Sequence, residues 1–278
     1  MPPTATISEA WVKGLERVMD ERDGRLVHLV STVTEPGTEL VPVRGVLDAA
    51  LERAGAQSVD TVAETIFPSS LYSDPGFDWT PEMPSEDHAD LDAAAEALYD
   101  SYCEALPLLT TASGNTRGTY FGRMVSWPGK AAGGPNQLAD RVAALRSEHR
   151  AGRMRNNTLD IDIAADSQEP RGLQIYAATD RRRRGFPCLT HIDLTLHDGR
   201  LHCMAVYRHQ YFVEKAYGNM LGLSAMLHFL CQQSGYEPGE LVVHATMADA
   251  QRGTFSGVAD ILSQAQEALG STERNVLK

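Results

Sequence analysis

Long apolar runs are missing from this chain. No stretch approaches the roughly 20 residues that a membrane-spanning helix requires, so no membrane span is expected. Cysteine is scarce: Cys103, Cys188, Cys203 and Cys231 are all there are, and no two form a CxxC pair. That sparseness excludes a disulfide scaffold and fits a reduced setting. There is no glycine-rich phosphate loop, no HExxH or other metal-ligand spacing, and no internal repeat. Positive charge is in deficit, with 25 Lys and Arg against 37 Asp and Glu and a formal net charge of −12. Broad binding to a nucleic-acid polymer is thereby disfavoured, although a local basic pocket can still hold one phosphate. The N-terminal MPPTATISEAW lacks the basic-then-apolar order of a signal peptide, which predicts a cytoplasmic protein.

What is present is a globular composition, 42% hydrophobic and 22% charged over 278 residues, enough to bury a substantial core. Apolar spacing predicts a helix over 8–20, with Trp11, Leu15 and Val18 inward and Ser8 as N-cap. The β-branched run 25–34 reads as a strand, and 44–54 and 59–67 as helices, the second stopped by Pro68. Residues 69–86, rich in Ser, Pro, Asp and Gly, read as a long surface loop leading into an acidic helix over 87–106. The stretch 69–112 is expected to be an insertion or lid within a single domain spanning 1–278. A helix is expected at 137–145 and strands at 157–164 and 172–178.

The stretch Phe186–Asp249 then reads as strand, tight turn, strand, long apolar helix over 217–234, and a strand over 240–246. In its first strand Leu189, His191, Asp193 and Thr195 are expected on one face, with Thr190, Ile192, Leu194 and Leu196 on the other. His197-Asp198-Gly199-Arg200 is a hairpin signal, because Asp-Gly suits a primed turn. A final amphipathic helix is expected over 256–270. Strands in runs with interspersed helices predict an α+β fold.

Three residues of that stretch carry candidate chemistry. Cys188 follows a proline at the start of a strand, Arg208 ends the returning strand, and Asn219 opens the long helix. Singly, each has a plain structural reading: a small buried thiol, a surface ion pair, a helix cap. Taken with Pro187, Asp198–Gly199, Leu201, Cys203, Tyr207, Gln232–Gln233 and Gly239, their order and spacing resemble thymidylate synthase, including the interval from Arg208 to Asn219. WVKGLERVMDERDG, VAETIFP and GTYFG extend the resemblance upstream in weaker form.

The resemblance implies a homodimer that stacks its sheets, with a cysteine thiolate that adds to C6 of a pyrimidine nucleotide. C5 then becomes a carbon nucleophile towards a one-carbon unit, for which the family uses 5,10-methylenetetrahydrofolate. Hydride completes a methyl group, and water a hydroxymethyl group. Carried over, Cys188 is the nucleophile, and Arg208 contacts the nucleotide phosphate and lowers the thiol pKa. Asn219 holds O4 and N3–H of a uracil-like base, since an amide both donates and accepts. Glu64 is the candidate acid/base residue acting through water, against a plain reading as a solvated helix glutamate. His209, Gln210 and Tyr211 follow the arginine as substrate contacts. Arg155 and Arg181 are the phosphate candidates among Arg153, Arg155 and Arg181–Arg184.

The chain departs from the pattern where the family recognises folate and ribose. His209 stands in place of a phosphate-contacting serine, and Tyr211 in place of the aspartate that holds the pterin. Gln251 and Gly253 replace the ribose-binding His-x-Tyr pair, Phe121 aligns with the tyrosine of the family's GPVYG, and ERNVLK lacks the apolar closing segment. A tyrosine can stack on a flat heterocycle but cannot supply a carboxylate's paired acceptors. Housekeeping thymidylate synthesis is therefore not expected. The residues predict a C5 methyl- or hydroxymethyltransferase with an altered nucleotide or a different donor. One alternative is a nucleotide-binding or regulatory module that keeps the fold without the chemistry. Another places different chemistry on Cys203 or His191, although Cys203 is assigned to packing, and His191, at an odd offset from Cys188, to the opposite strand face.

Overall fold

The computed structural model describes residues 1–112, 115, 118–152, 161–162, 188–270 and 274–276. In chain order the elements are α1 (Ile7–Met19), β1 (Arg25–Val33), β2 (Thr38–Leu40), α2 (Val41–Ala54), α3 (Val59–Glu64), α4 (Ser85–Leu109), α5 (Tyr120–Val125), α6 (Gln137–Arg150), β3 (Ile161–Asp162), β4 (Leu189–His197), β5 (Arg200–Tyr207), β6 (Gln210–Tyr211), α7 (Tyr217–Ser234), β7 (Glu237–Asp249), α8 (Val258–Ala268) and β8 (Arg274–Val276). A π-helical turn, Phe212–Ala216, leads into α7. The strand expected over 172–178, and all but Ile161–Asp162 of the one over 157–164, lie outside the described residues.

The main sheet runs β1-β7-β5-β4-β3, with β6 paired to the end of β7. β1 is antiparallel to β7 and β4 to β5, whereas β5 and β7 are parallel. Parallel neighbours need a crossover, and α7 provides it. The result is an α+β fold on a mixed sheet. A short β2–β8 pair holds residues 274–276 against the start of α2. Among the described residues no helix is long and apolar enough to cross a membrane.

α7 is buried on nearly every side, with Leu223, Met226, Leu227 and Leu230 fully inside. Leu189, Ile192, Leu194, Leu201 and Ala205 cover one face of the sheet with apolar surface and join the same core. α1 meets this core through Trp11, whose indole N–H donates to Phe212 O at 2.9 Å. The hairpin between β4 and β5 turns on Asp198 (φ 48°) and Gly199 (φ 75°), the left-handed pair that the Asp-Gly signal requires.

Two local expectations are corrected. Thr6, not Ser8, caps α1, in a capping box with Glu9. Ser8 is fully buried instead, pairing its hydroxyl with Tyr217 OH at 2.7 Å and accepting from Leu40 N–H at 2.7 Å. In β4 a bulge between Leu189 and His191 breaks the alternation, so Leu189 turns inward to the core instead of sharing the face of His191.

The loop over 69–86 is tied down by a side chain that composition did not single out. Trp79 is fully buried; its backbone N–H donates to Gln232 O at 2.8 Å and its indole N–H to His88 at 3.0 Å. Gln233, also fully buried, donates to Leu91 O and Tyr72 OH and accepts from Arg146. Leu91, Leu98 and Leu106 then seat α4 in the core.

Candidate functional site

The site begins with two glycines. A Cβ on Gly218 would stand 2.6 Å from Val59 O, and one on Gly222 would stand 2.5 Å from Ala63 O. Their missing side chains let α3 approach α7 at backbone distance. Thr61, Glu64, Thr65 and Pro68, spaced as one helical face, then line the same cavity as Tyr211, Lys215 and Asn219, which recur every four residues from β6 through the π-helical turn into α7. The cavity measures about 630 Å³, within the range of small-molecule sites. Leu71, Tyr102, Ala105 and Leu109 give it apolar wall, and Cys188 opens onto it at the start of β4.

Cys188 is half-buried and held by its backbone. Its N–H donates to Tyr120 OH at 3.1 Å, and its carbonyl accepts from Arg208 N–H at 2.8 Å. The ends of β4 and β5 thereby place Arg208 beside the cysteine. Burial pushes the Cys188 thiol up, and the positive charge of Arg208 opposes that shift. Tyr120 is likewise pushed up, mainly by burial and then by the neighbouring Cys188. A tyrosine hydroxyl thus reaches the cysteine from Tyr120, one residue before Phe121, while Phe121 is fully buried edge-on against Tyr102 and Phe67.

Asn219 is 5% exposed and faces the cavity. It does not cap α7, because the N-cap position belongs to Ala216. Gln210 is 3% exposed and lines the cavity, and its amide Nε2 has no hydrogen-bond partner among the described residues. A buried donor left unpaired costs free energy that an incoming acceptor would recover. His209 also lines the cavity; its Nε2 stands 3.6 Å from Asp249, beyond hydrogen-bond length, and its ring meets Tyr211 edge-on at 4.7 Å. Tyr211 lies at the cavity with its side chain 43% exposed. Glu64 lines the cavity and a smaller neighbouring one of about 240 Å³. Its carboxylate accepts from the Ser69 hydroxyl and from the Ser70 hydroxyl and N–H, at 2.8, 2.7 and 3.2 Å.

Six residues singled out in the sequence therefore share one cavity: Cys188, Glu64, His209, Gln210, Tyr211 and Asn219. Arg208 adjoins Cys188 without lining it. Arg155 and Arg181 lie outside the described residues, as do Arg153 and Arg182–Arg184. Cys203 is 1% exposed in the sheet, and burial, with Asp193 nearby, pushes its thiol up to about 12. His191 does not line the cavity. Gln251 is taken up by Glu214, accepting from its N–H at 3.0 Å and donating to its carboxylate at 2.7 Å.

Sequence reasoning missed Tyr120, Gln57, Thr61 and Lys215. The four-residue recurrence of Tyr211, Lys215 and Asn219 was readable, but the π-helical turn that carries it was not. Tyr120 reaches Cys188 only through tertiary packing. No protein-family model matches this chain, and no curated protein matches it.

Proposed function

We propose that this protein is a thymidylate-synthase-like C5 methyl- or hydroxymethyltransferase that acts on a uracil-like nucleotide through a covalent adduct at Cys188. The observation that carries this reading is the gathering of Cys188, Glu64 and Asn219, far apart in sequence, onto one ligand-sized cavity, with the Arg208 backbone N–H bonded to the Cys188 carbonyl. In this reading the Cys188 thiolate adds to C6, forming the C–S bond and moving the C5–C6 π electrons towards O4. Asn219 donates to O4 and accepts from N3–H, stabilising the enolate-like state. C5 attacks a one-carbon unit at the formaldehyde level and loses its proton as the carrier departs with the electron pair of its bond to that carbon; water then completes a hydroxymethyl group, or a hydride from a reduced donor completes a methyl group. Tyr120 OH, which accepts from the Cys188 N–H, and Glu64 are the candidate acid/base groups of the cavity. Expulsion of the thiolate restores the C5–C6 double bond.

The family's donor, 5,10-methylenetetrahydrofolate, does not fit the residues present. Its pterin would need a carboxylate where Tyr211 presents a phenol, so no step is assigned to it.

The reading includes a homodimer formed by stacked sheets. The face of the sheet away from α7 carries cross-strand rows Thr32-Val242-Met204-Asp193 and Val30-His244-Val206-His191. Val30, at the β1 end of one row, and Met204, inside the other, are exposed, at 39% and 36%. A two-layer fold covers such a face, and a second copy of the chain would do so here.

The test is intact-protein mass spectrometry after incubation with a panel of 5-fluoropyrimidine nucleotides. A mass gain by one nucleotide, absent from Cys188→Ala, is expected. No adduct with any member would overturn the reaction. The upward push that burial gives the Cys188 thiol favours a second reading, a nucleotide-binding module without chemistry. Tight nucleotide binding unchanged in Cys188→Ala, with no adduct, would select it.

A further inference from the structure

The sheet carries a histidine pair that has no part in that reading. His28 on β1 and His244 on β7 set Nδ1 and Nε2 3.0 Å apart, with ring centres 5.2 Å apart and planes tilted by 38°. Neither ring lines the cavity. Among the described residues neither ring has another hydrogen-bond or ion-pair partner.

A local distortion of β1 accompanies this meeting. In the ladder His244 stands opposite Val30, and His28 falls between the paired residues Val27 and Leu29 with no ladder partner of its own. Residues two apart on a regular strand share a face, yet Val27 is 55% exposed and Leu29 3%. The break is at His28, whose φ of 60° is left-handed. That conformation costs energy for a residue with a Cβ. An N–H···N bond between two water-exposed imidazoles offsets little of it.

A cation bound by both nitrogens would offset more. Each neutral imidazole can carry its hydrogen on the outer nitrogen, His28 Nε2 or His244 Nδ1, which leaves the two facing nitrogens as lone-pair donors. Two nitrogens about 2.0–2.1 Å from one ion stand about 2.9 Å apart at a right angle and about 3.3 Å apart in a tetrahedron. The 3.0 Å between His28 and His244 lies within that span. The sheet's other close histidines do not match it: the ring centres of His197 and His202 are 6.4 Å apart, and His202 Nδ1 is taken by the Glu240 N–H.

We propose that His28 and His244 form a two-histidine site for a divalent transition-metal ion of the imidazole-preferring class, such as Ni²⁺, Cu²⁺ or Zn²⁺. Among the described residues no group of three or more His, Cys, Asp or Glu is disposed around a metal, so water completes the coordination. One chain supplies both ligands, and the site stands independently of the reaction at Cys188.

The experiment is isothermal titration of the untagged full chain with Ni²⁺, beside His28→Asn, His244→Gln and His202→Gln. Asparagine tolerates a left-handed backbone, so His28→Asn removes the imidazole and keeps the turn. Wild type and His202→Gln are expected to bind one ion per chain. His28→Asn and His244→Gln each weaken binding about a hundredfold, because the second bond of a chelate forms within the molecule. Ni²⁺ raises the melting point of wild type and leaves that of either site variant unmoved; the metal-free melts report that both are folded. No binding by wild type would overturn the site. Binding kept in either site variant, or lost equally in His202→Gln, would also overturn it, by assigning the ion to a single imidazole or to other groups.

Discussion

Burial raises the Cys188 thiol and Arg208 pulls it back. Since the thiolate is the form that reacts, modification by iodoacetamide is expected to keep climbing with pH beyond the range of an ordinary thiol. Removing the opposing charge in Arg208→Ala moves the profile further alkaline, measurable as the rate of mass gain at each pH; an unmoved profile would show that the guanidinium does not act on the sulfur. Gln210 leads to the opposite kind of expectation. Its amide is an unpaired buried donor, and Met has similar volume without the polar group. Gln210→Met is expected to raise the stability of the free protein by about 1 kcal/mol and to weaken nucleotide binding. Thermal melts with and without ligand test both halves, and a lower melting point for the free variant would contradict the first. Cys188 and Asn219 were legible from order and interval. Tyr120 was not, because a loop-borne aromatic gives no sign of which side chain it will meet.

Among the elements, α7 was the most legible. Its 217–234 boundaries follow from a predominantly apolar stretch ending at Gly235, whose φ of 77° makes it a left-handed C-cap. Glycines inside the helix carried no such sign, because their reason lies in another element. On propensity alone Gly→Ala inside a helix gains about 1 kcal/mol. At Gly218 and Gly222 the new methyl meets the backbone of α3 at 2.6 and 2.5 Å, and overpacking of that kind costs about 1–3 kcal/mol. Gly218→Ala and Gly222→Ala are therefore expected to lower the denaturation midpoint and, by pushing α3 outwards, to weaken ligand binding. A rise in midpoint for both would mean that α3 yields without cost. The β4 bulge was equally hidden, since strict alternation in the sequence gives no cue for one inserted residue.

For the molecule as a whole, the α+β class followed from strands in runs with interspersed helices, whereas the mixed sheet shows in the parallel pairing of β5 with β7. The sheet face away from α7 was less legible, because Val30, Val242, Met204 and Val206 meet only after three strands are aligned. If a second copy covers that face, Val30→Glu and Met204→Glu place charges against charges across the interface. Sedimentation analysis is expected to show a dimer for wild type and monomer for the double variant; a wild-type monomer at all concentrations would exclude the stacked pair. The glycine seam between α3 and α7 has a wider meaning for such a protein. The gap between the two helices is set by what Gly218 and Gly222 lack, whereas the character of the cleft is set by side chains such as Tyr211, Lys215 and Gln210. Dimension and selectivity are thus written at different positions. A lineage that holds the seam fixed can exchange one ligand for another by single substitutions, with no need to rebuild the frame that receives it.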